Sequence, residues 1–189
     1  MQLVFVCSGN TCRSPLALCA WHLAVREISA RGGCKRGAGF PLGQIEATSA
    51  GLCASEGARA PHHAQTVARQ WGEDLSGHRA TLFRPEHARA ELIVTMTHDQ
   101  SAVLNAHFSV APGQVHRLGE YAPRRSTLAQ ASQLAPLWEE NFTFGRHLSE
   151  ADETDILDPF GASCEAYEAC AAQIRRCVFE LAHVVSGLK

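Results

Sequence analysis

An apolar tetrapeptide near the start of the chain runs directly into a short polar loop and then into a helix signal. Leu3-Val4-Phe5-Val6 has the character of a strand buried on both faces of a parallel sheet. Ser8-Gly9-Asn10 ends that strand, and Ser14-Pro15 predicts a helix with serine at its N-cap and proline at its first position. The order strand, tight loop, helix therefore favours a fold of parallel strands joined by crossover helices.

The rest of the chain alternates in the same way. Strand patterns occur at 44–48, 91–96 and 115–118, and helical patterns at 61–70, 99–106 and 164–185. We therefore expect an α/β fold: an open four-stranded parallel sheet flanked by helices on both faces, with a phosphate-binding loop after the first strand. Ligands of such sheets bind beyond the carboxyl ends of the strands, where this loop lies.

The length of 189 residues suits one domain, spanning 1–189. The stretch 30–43 is rich in Gly, Arg and Lys and predicts an exposed loop. The segment 122–153 carries charged residues around an apolar centre that includes Leu134 and Trp138. A structureless loop of that length is unusual in a compact domain, so we expect a helical insertion, packed on the surface rather than acting as a lid.

The loop after the first strand combines residue types that bind an anion. Successive backbone N–H groups can form an anion nest there, and the following helix adds the positive end of its dipole. Glycine permits close backbone approach, and asparagine tolerates a left-handed conformation. The loop lacks the Gly-Lys-Ser/Thr ending of a nucleotide-binding P-loop, so nucleotide hydrolysis fits poorly. The candidate phosphate-binding residues are Ser8, Gly9, Asn10, Thr11, Cys12, Arg13 and Ser14.

Cys7 and Arg13 are the candidate catalytic residues of this loop. A helix N-terminus and a nearby cation favour the thiolate form of a cysteine, which is the nucleophile. The planar guanidinium of Arg13 can hold two phosphoryl oxygens while charge redistributes during transfer. The alternative, a core cysteine at a strand end and a surface arginine, does not account for the glycine, asparagine and serine between and beside them.

Attack by a thiolate on phosphorus needs an acid for the leaving group and later a base for water. Asp158 is our candidate for both roles, because Pro159 stiffens the chain beside it and Phe160 can form a pocket wall. Asp99, Asp152 and Asp155 are the competing carboxyl groups.

Composition argues against several other classes of protein. Seventeen Lys and Arg against nineteen Asp and Glu leave a net charge of −2, so no electrostatic surface for nucleic acid or an anionic membrane is expected. The eight cysteines include no Cys-x2-Cys pair and no histidine cluster accompanies them, so we expect no metal. The first residues lack a signal peptide's basic region and long apolar stretch, and we expect a cytoplasmic protein.

Together, the Cys7–Pro15 loop and the Asp158-Pro159 pair resemble the low-molecular-weight protein tyrosine phosphatase family over 1–28, 48–121 and 155–181. The resemblance implies Cys7 as nucleophile, Arg13 as phosphate clamp and Asp158 as acid and then base, without a metal or organic cofactor. It also implies that Asn10 and Ser14 support the loop and that Ser49 and His78 support those two residues in turn. We expect phosphorylated proteins as substrates and a monomeric enzyme.

Within that family, the sequence is most similar to the bacterial protein arginine phosphatase branch. Two residues carry this similarity: Thr11, where tyrosine-directed members tend to have a bulkier aliphatic residue, and Gly161, where many have a second aromatic. With Thr11 and Phe160 as the substrate pocket, phosphoarginine is slightly favoured over phosphotyrosine. The alternative is a protein tyrosine phosphatase.

The cysteines bear on one redox role and on two further hypotheses about function. By resemblance, Cys12 can form a reversible disulfide with Cys7, although a small residue filling the underside of the loop is equally compatible. An arsenate reductase would need further relay cysteines, and none occurs between Cys53 and Cys164. A non-catalytic phosphoprotein-binding module is disfavoured by the joint presence of the nucleophile, clamp and acid.

Overall fold

The computed structural model describes residues 1–31, 40–122 and 154–187, and its first strand lies inside the sheet. β1 (Gln2–Cys7) is buried from Leu3 to Cys7. This continuous burial confirms the interpretation of the apolar run as an interior strand. The order continues with α1 (Arg13–Ala30), β2 (Glu46–Gly51), α2 (His62–Gln70), β3 (Leu92–Thr95), α3 (His98–His107), β4 (Val115–Arg117) and α4 (Cys164–Val185), with 3₁₀ turns at Leu42–Gln44, His87–Arg89 and Leu118–Glu120.

The four strands form one parallel sheet in the order β2-β1-β3-β4. In its register, Val4 pairs with Thr48 on one side and with Ile93 on the other. All four carboxyl ends therefore meet at one edge, and the loop after Cys7 starts at the middle of that edge. The predicted four-stranded parallel α/β fold is confirmed.

Helices cover both faces of the sheet, as predicted. Leu3 and Phe5 point into a core shared with α1, α2 and α4. Val4 and Val6, which alternate with them, point into a second core that contains Leu104 of α3. Burial on both faces explains why β1 reads as a continuous apolar run rather than an alternating one.

Several predicted boundaries need correction. β2 begins at Glu46, because Leu42–Gln44 forms a 3₁₀ turn and the pairing with β1 starts when Glu46 N donates to Met1 O at 3.0 Å. The prediction that Ser14 caps α1 is wrong: the helix starts at Arg13 with Cys12 as N-cap. The hydroxyl of Ser14 bonds the carbonyl of Ala50 in β2 and contacts Cys7 instead.

The predicted insertion at 122–153 falls outside the described residues except for Ala122, and so does 32–39 of the predicted exposed loop. Across 1–31, 40–122 and 154–187, no helix is long and apolar enough to cross a membrane. In the same ranges, no three or more His, Cys, Asp and Glu side chains are grouped so that they could hold a metal ion.

Candidate active site

The loop between β1 and α1 lies against the end of β2. Cys7 is the last residue of β1, and Arg13 is the first of α1. Beyond the strand end, Leu52 N donates to Cys7 O at 2.9 Å and Cys53 N donates to Ser8 O at 2.8 Å. These bonds continue the strand pairing into the loop and fix its backbone above the carboxyl edge of the sheet.

The sulfur of Cys7 is buried and surrounded by potential donors. Asn10 N donates to Cys7 Sγ at 3.2 Å, and Ser14 Oγ lies 3.1 Å from Cys7 Sγ. While Cys7 is a thiol, its S–H can donate to Ser14 Oγ, and the hydroxyl of Ser14 donates a hydrogen bond to Ala50 O at 3.2 Å. After deprotonation, the serine hydroxyl can turn towards the sulfur. Both donors therefore suit a thiolate.

Asn10 is the residue that fixes the shape of the loop. It is fully buried with φ of 51°, a left-handed conformation that asparagine tolerates. Its amide Nδ2 donates to Ser14 Oγ and to Ser49 Oγ, both at 2.9 Å, while Oδ1 accepts from Thr81 N at 2.8 Å. Its carbonyl accepts from His78 Nε2 at 2.7 Å. The structure thus brings Asn10, Ser14, Ser49 and His78 into one hydrogen-bonded network.

Gly51 allows the loop to pack directly on β2, and the sequence did not single it out. A Cβ added at Gly51 would lie 2.7 Å from both Asn10 N and Ser8 O. These are backbone atoms inside the loop, so they cannot turn aside as a flexible side chain would. The strand predicted at 44–48 ends before Gly51, so no local pattern marked this glycine.

Gly51→Ala is therefore expected to displace the loop and lower kcat by about 100-fold, the scale of a misplacement of about 1 Å at a reacting centre. Overpacking should also lower the free energy of unfolding by about 1–3 kcal/mol. Steady-state kinetics on an aryl phosphate and thermal melting measure the two effects. Gly43→Ala is the matched control, because a Cβ there meets nothing within 4 Å. Equal activity of the two variants would contradict the packing argument.

Arg13 is 3% exposed, and its side chain spans the site. Its Nη1 donates to Ile156 O at 3.1 Å, and its Nη2 donates to Ser8 Oγ at 3.3 Å and to Asp158 Oδ2. Arg13 Nε is buried and has no hydrogen-bond partner within the described part of the chain. A phosphoryl oxygen is an acceptor that this donor lacks.

Asp158 is the sequence-predicted carboxyl group that reaches Arg13. Its side chain is 42% exposed, and its Oδ1 accepts from Phe160 N at 3.2 Å. The competing Asp155 is engaged elsewhere, since its Oδ1 accepts from His98 N at 2.9 Å and lies 3.8 Å from Arg117 Nη1. Asp99 lies in the first turn of α3, and Asp152 falls outside the described residues. Phe160 is 59% exposed beside the carboxylate.

Cys12 points away from solvent towards α4. Its Sγ lies 3.2 Å from Tyr167 Oη and 3.6 Å from Thr11 Oγ1. Burial raises the pKa of the Cys12 thiol above its usual value, so this sulfur stays protonated at neutral pH. A redox partnership between Cys12 and Cys7 stays a prediction.

Gln100 is a second residue that sequence analysis missed. It is 5% exposed near the start of α3, and its Nε2 donates to Ser8 Oγ at 3.1 Å. No motif marks it, because the contact joins residues 92 positions apart.

The assembled site offers a buried sulfur, a buried guanidinium and a half-exposed carboxylate around one loop of backbone N–H groups. That set of groups can bind a phosphoryl group and transfer it.

Comparison with known proteins agrees with this geometry. Residues 2–131 match the family model described as low molecular weight phosphotyrosine protein phosphatase, which is more than half of the 189-residue chain. The chain belongs to this family. As a member it is a hydrolase, and the family-typical reaction proceeds through a phosphocysteine intermediate.

Named relatives of this phosphatase fall into two groups. A protein-arginine-phosphatase of Geobacillus stearothermophilus is 28% identical over 182 residues, covering 96% of this chain and 93% of the relative. A probable low molecular weight protein-tyrosine-phosphatase, EpsP of Ralstonia solanacearum, is 33% identical over 175 residues, covering 92% and 88%. The solved structure of the YwlE arginine phosphatase from Geobacillus stearothermophilus superposes with a TM-score of 0.66 at 26% identity, and the match covers 98% of this chain and 93% of that one.

Proposed function

We propose that this phosphatase hydrolyses phosphorylated side chains of proteins, with phosphoarginine favoured over phosphotyrosine. The observation that carries the proposal is that Arg13, from the nucleophile loop, contacts Asp158, from a loop 145 residues away in the chain. The contact supports the proposal because it puts a guanidinium and a carboxyl group side by side, next to the loop that follows Cys7. We further propose that the enzyme acts as a cytoplasmic monomer.

The first chemical step transfers the phosphoryl group to the enzyme. The Cys7 thiolate attacks phosphorus, so that an S–P bond forms and the P–N bond of phosphoarginine, or the P–O bond of phosphotyrosine, breaks. Asp158 gives its proton to the departing nitrogen or oxygen. Arg13 and the loop N–H groups hold the phosphoryl oxygens as their charge redistributes.

The second step regenerates the enzyme. Asp158, now a carboxylate, takes a proton from a water molecule whose oxygen attacks phosphorus. The new P–O bond forms as the S–P bond breaks, which releases inorganic phosphate and returns Cys7 as a thiolate. Asn10 N and the Ser14 hydroxyl, at 3.2 and 3.1 Å, are placed to stabilise that leaving sulfur.

The preference for phosphoarginine rests on the residues at the pocket rim. Thr11 offers a hydroxyl, which suits a polar guanidinium better than a methyl group does. Gly161 has φ of 77°, a conformation that favours glycine, so the position after Phe160 carries no second aromatic side chain. Tyrosine phosphatase activity is the alternative, and the 33% identity with the Ralstonia relative favours it.

Thr11→Ile is expected to lower the ratio of kcat/KM on phosphoarginine to kcat/KM on phosphotyrosine by about tenfold, the scale of one lost hydrogen bond to a charged group. The measurement uses one peptide sequence carrying either phosphorylated residue, with Cys7→Ser as the inactive control. Efficient phosphotyrosine hydrolysis by the wild type with phosphoarginine untouched would overturn the preference. Turnover by Cys7→Ser would overturn the proposed function itself.

A further inference from the structure

The amide of Gln100 is fixed at both ends inside the protein. Its Oε1 accepts from Met96 N at 2.9 Å, and its Nε2 donates to Ser8 Oγ at 3.1 Å. Because Met96 N can only donate, the amide oxygen must face it and the amide nitrogen must face Ser8. A buried amide costs free energy unless it is bonded, so this orientation is strongly preferred.

Ser8 links Gln100 to the phosphate clamp. Its hydroxyl oxygen also accepts from Arg13 Nη2 at 3.3 Å. A hydroxyl oxygen has two acceptor lone pairs, and these two N–H donors occupy both. Gln100 therefore holds the oxygen of Ser8 in a fixed position, from which it receives the guanidinium of Arg13.

This support matters most when the acid leaves the clamp. Within the part of the chain that the structure describes, Arg13 donates to three acceptors: Ile156 O, Ser8 Oγ and Asp158. Under the proposed function, Asp158 must release Arg13 in order to reach the leaving group. Ile156 O and Ser8 Oγ are then the protein contacts that keep the guanidinium in plane for the phosphoryl oxygens.

We propose that Gln100 is a positioning residue for phosphoryl transfer, acting through Ser8 on the orientation of Arg13. The inference rests on the proposed function and deepens it. Within the described residues, the side chain of Gln100 is hydrogen-bonded to Met96 N and Ser8 Oγ and not to Cys7 or Asp158, so its effect on the reaction passes through one hydrogen bond at each link. If Gln100 only filled the core, the rate of phosphoryl transfer would not depend on its hydrogen bond to Ser8.

Gln100→Glu distinguishes a positioning role from a purely core-filling one, because glutamate has nearly the same shape as glutamine and still accepts from Met96 N. An ionised carboxylate cannot donate to Ser8, whereas a protonated one can. We expect kcat/KM of Gln100→Glu to be about tenfold below wild type at alkaline pH and to approach wild type as the pH falls and the carboxyl protonates. Each variant is compared with wild type at the same pH, which removes the titration of the catalytic groups.

A double-mutant cycle with Ser8→Ala tests the route of the effect. Without the serine hydroxyl, Gln100→Glu should change kcat/KM by less than twofold further, and the pH dependence of the ratio should vanish. Ser101→Ala is the control on the same helix, since Ser101 Oγ bonds Thr95 Oγ1 and Thr97 O rather than the loop. It should retain wild-type kinetics, and thermal melting monitors the fold of every variant.

Two results would overturn the inference: a Gln100→Glu to wild-type ratio that does not vary with pH, or an equal loss in the presence and absence of the Ser8 hydroxyl. Either result, together with an inactive Cys7→Ser, would leave the proposed function intact. Turnover by Cys7→Ser would instead reject the proposed function, whatever the Gln100 variants do.

Discussion

Arg13→Lys is expected to lower kcat/KM on phosphorylated substrates by about 1000-fold, at the upper end of what removing one transition-state donor costs. Lysine keeps the positive charge but replaces a planar fork with a single rotatable ammonium. In the wild type, Arg13 is held by Ile156 O and Ser8 Oγ, so its remaining donors have a fixed direction. A lysine cannot keep two such contacts and also grip two phosphoryl oxygens.

Steady-state kinetics on an aryl phosphate and on phosphorylated peptides measures this loss. Arg84→Lys is the matched control, because Arg84 pairs with Glu56 on the surface at 3.0 Å and its side chain is 57% exposed. Exposed pairs contribute little, so this variant should keep wild-type activity and stability. A loss of less than about tenfold in Arg13→Lys would mean that charge alone suffices and would contradict the role of the planar fork.

Asp158→Ala should lower kcat by about 10²–10⁴-fold on phosphorylated peptides, the usual contribution of a general acid or base. Both proposed steps use this carboxyl group, so both should slow. The leaving group of an aryl phosphate is weakly basic, so transfer of the phosphoryl group to Cys7 depends little on an acid. Hydrolysis of the phosphocysteine still depends on the base that activates water. The phosphocysteine form should therefore accumulate in this variant, visible as a burst of one released phenol per enzyme.

Asp155→Asn serves as the comparison for Asp158→Ala. Asp155 is the competing carboxyl group whose Oδ1 accepts from His98 N, and asparagine keeps that acceptor. We expect its activity to stay within a few-fold of wild type, since the bond from His98 N is kept and the lost ion pair with Arg117, at 3.8 Å and partly exposed, contributes little. A large loss in Asp155→Asn with near-normal turnover in Asp158→Ala would exchange the roles of the two residues.

Elements with strong local signals were predictable from the sequence. The continuous apolar run placed β1, and the apolar spacing placed α4 at Cys164–Val185, the bounds that the structure has. The start of α1 was missed because Ser14 matches the N-cap preference, while the tertiary site uses its hydroxyl at Cys7. The start of β2 was missed because strand pairing, which depends on β1, decides where that strand begins.

The residues of the candidate site also differ in how far they could be predicted from local sequence. Cys7, Asn10 and Arg13 lie between the end of β1 and the start of α1, so their proximity follows from the sequence alone. Gln100 and Gly51 reach that loop through contacts between distant segments, which no local pattern encodes. Residues that act through packing or through a single long-range hydrogen bond therefore become visible only in the folded chain.

Under the proposed mechanism, Cys7 carries the phosphoryl group during turnover. Intact-protein and peptide mass analysis of Asp158→Ala, quenched during reaction with an aryl phosphate, tests it directly, with Cys7→Ala in the same background as the control. We expect one added phosphoryl group, located on Cys7 and absent from the control. A phosphoryl group on another residue, or continued turnover with Cys7 replaced by alanine, would contradict it.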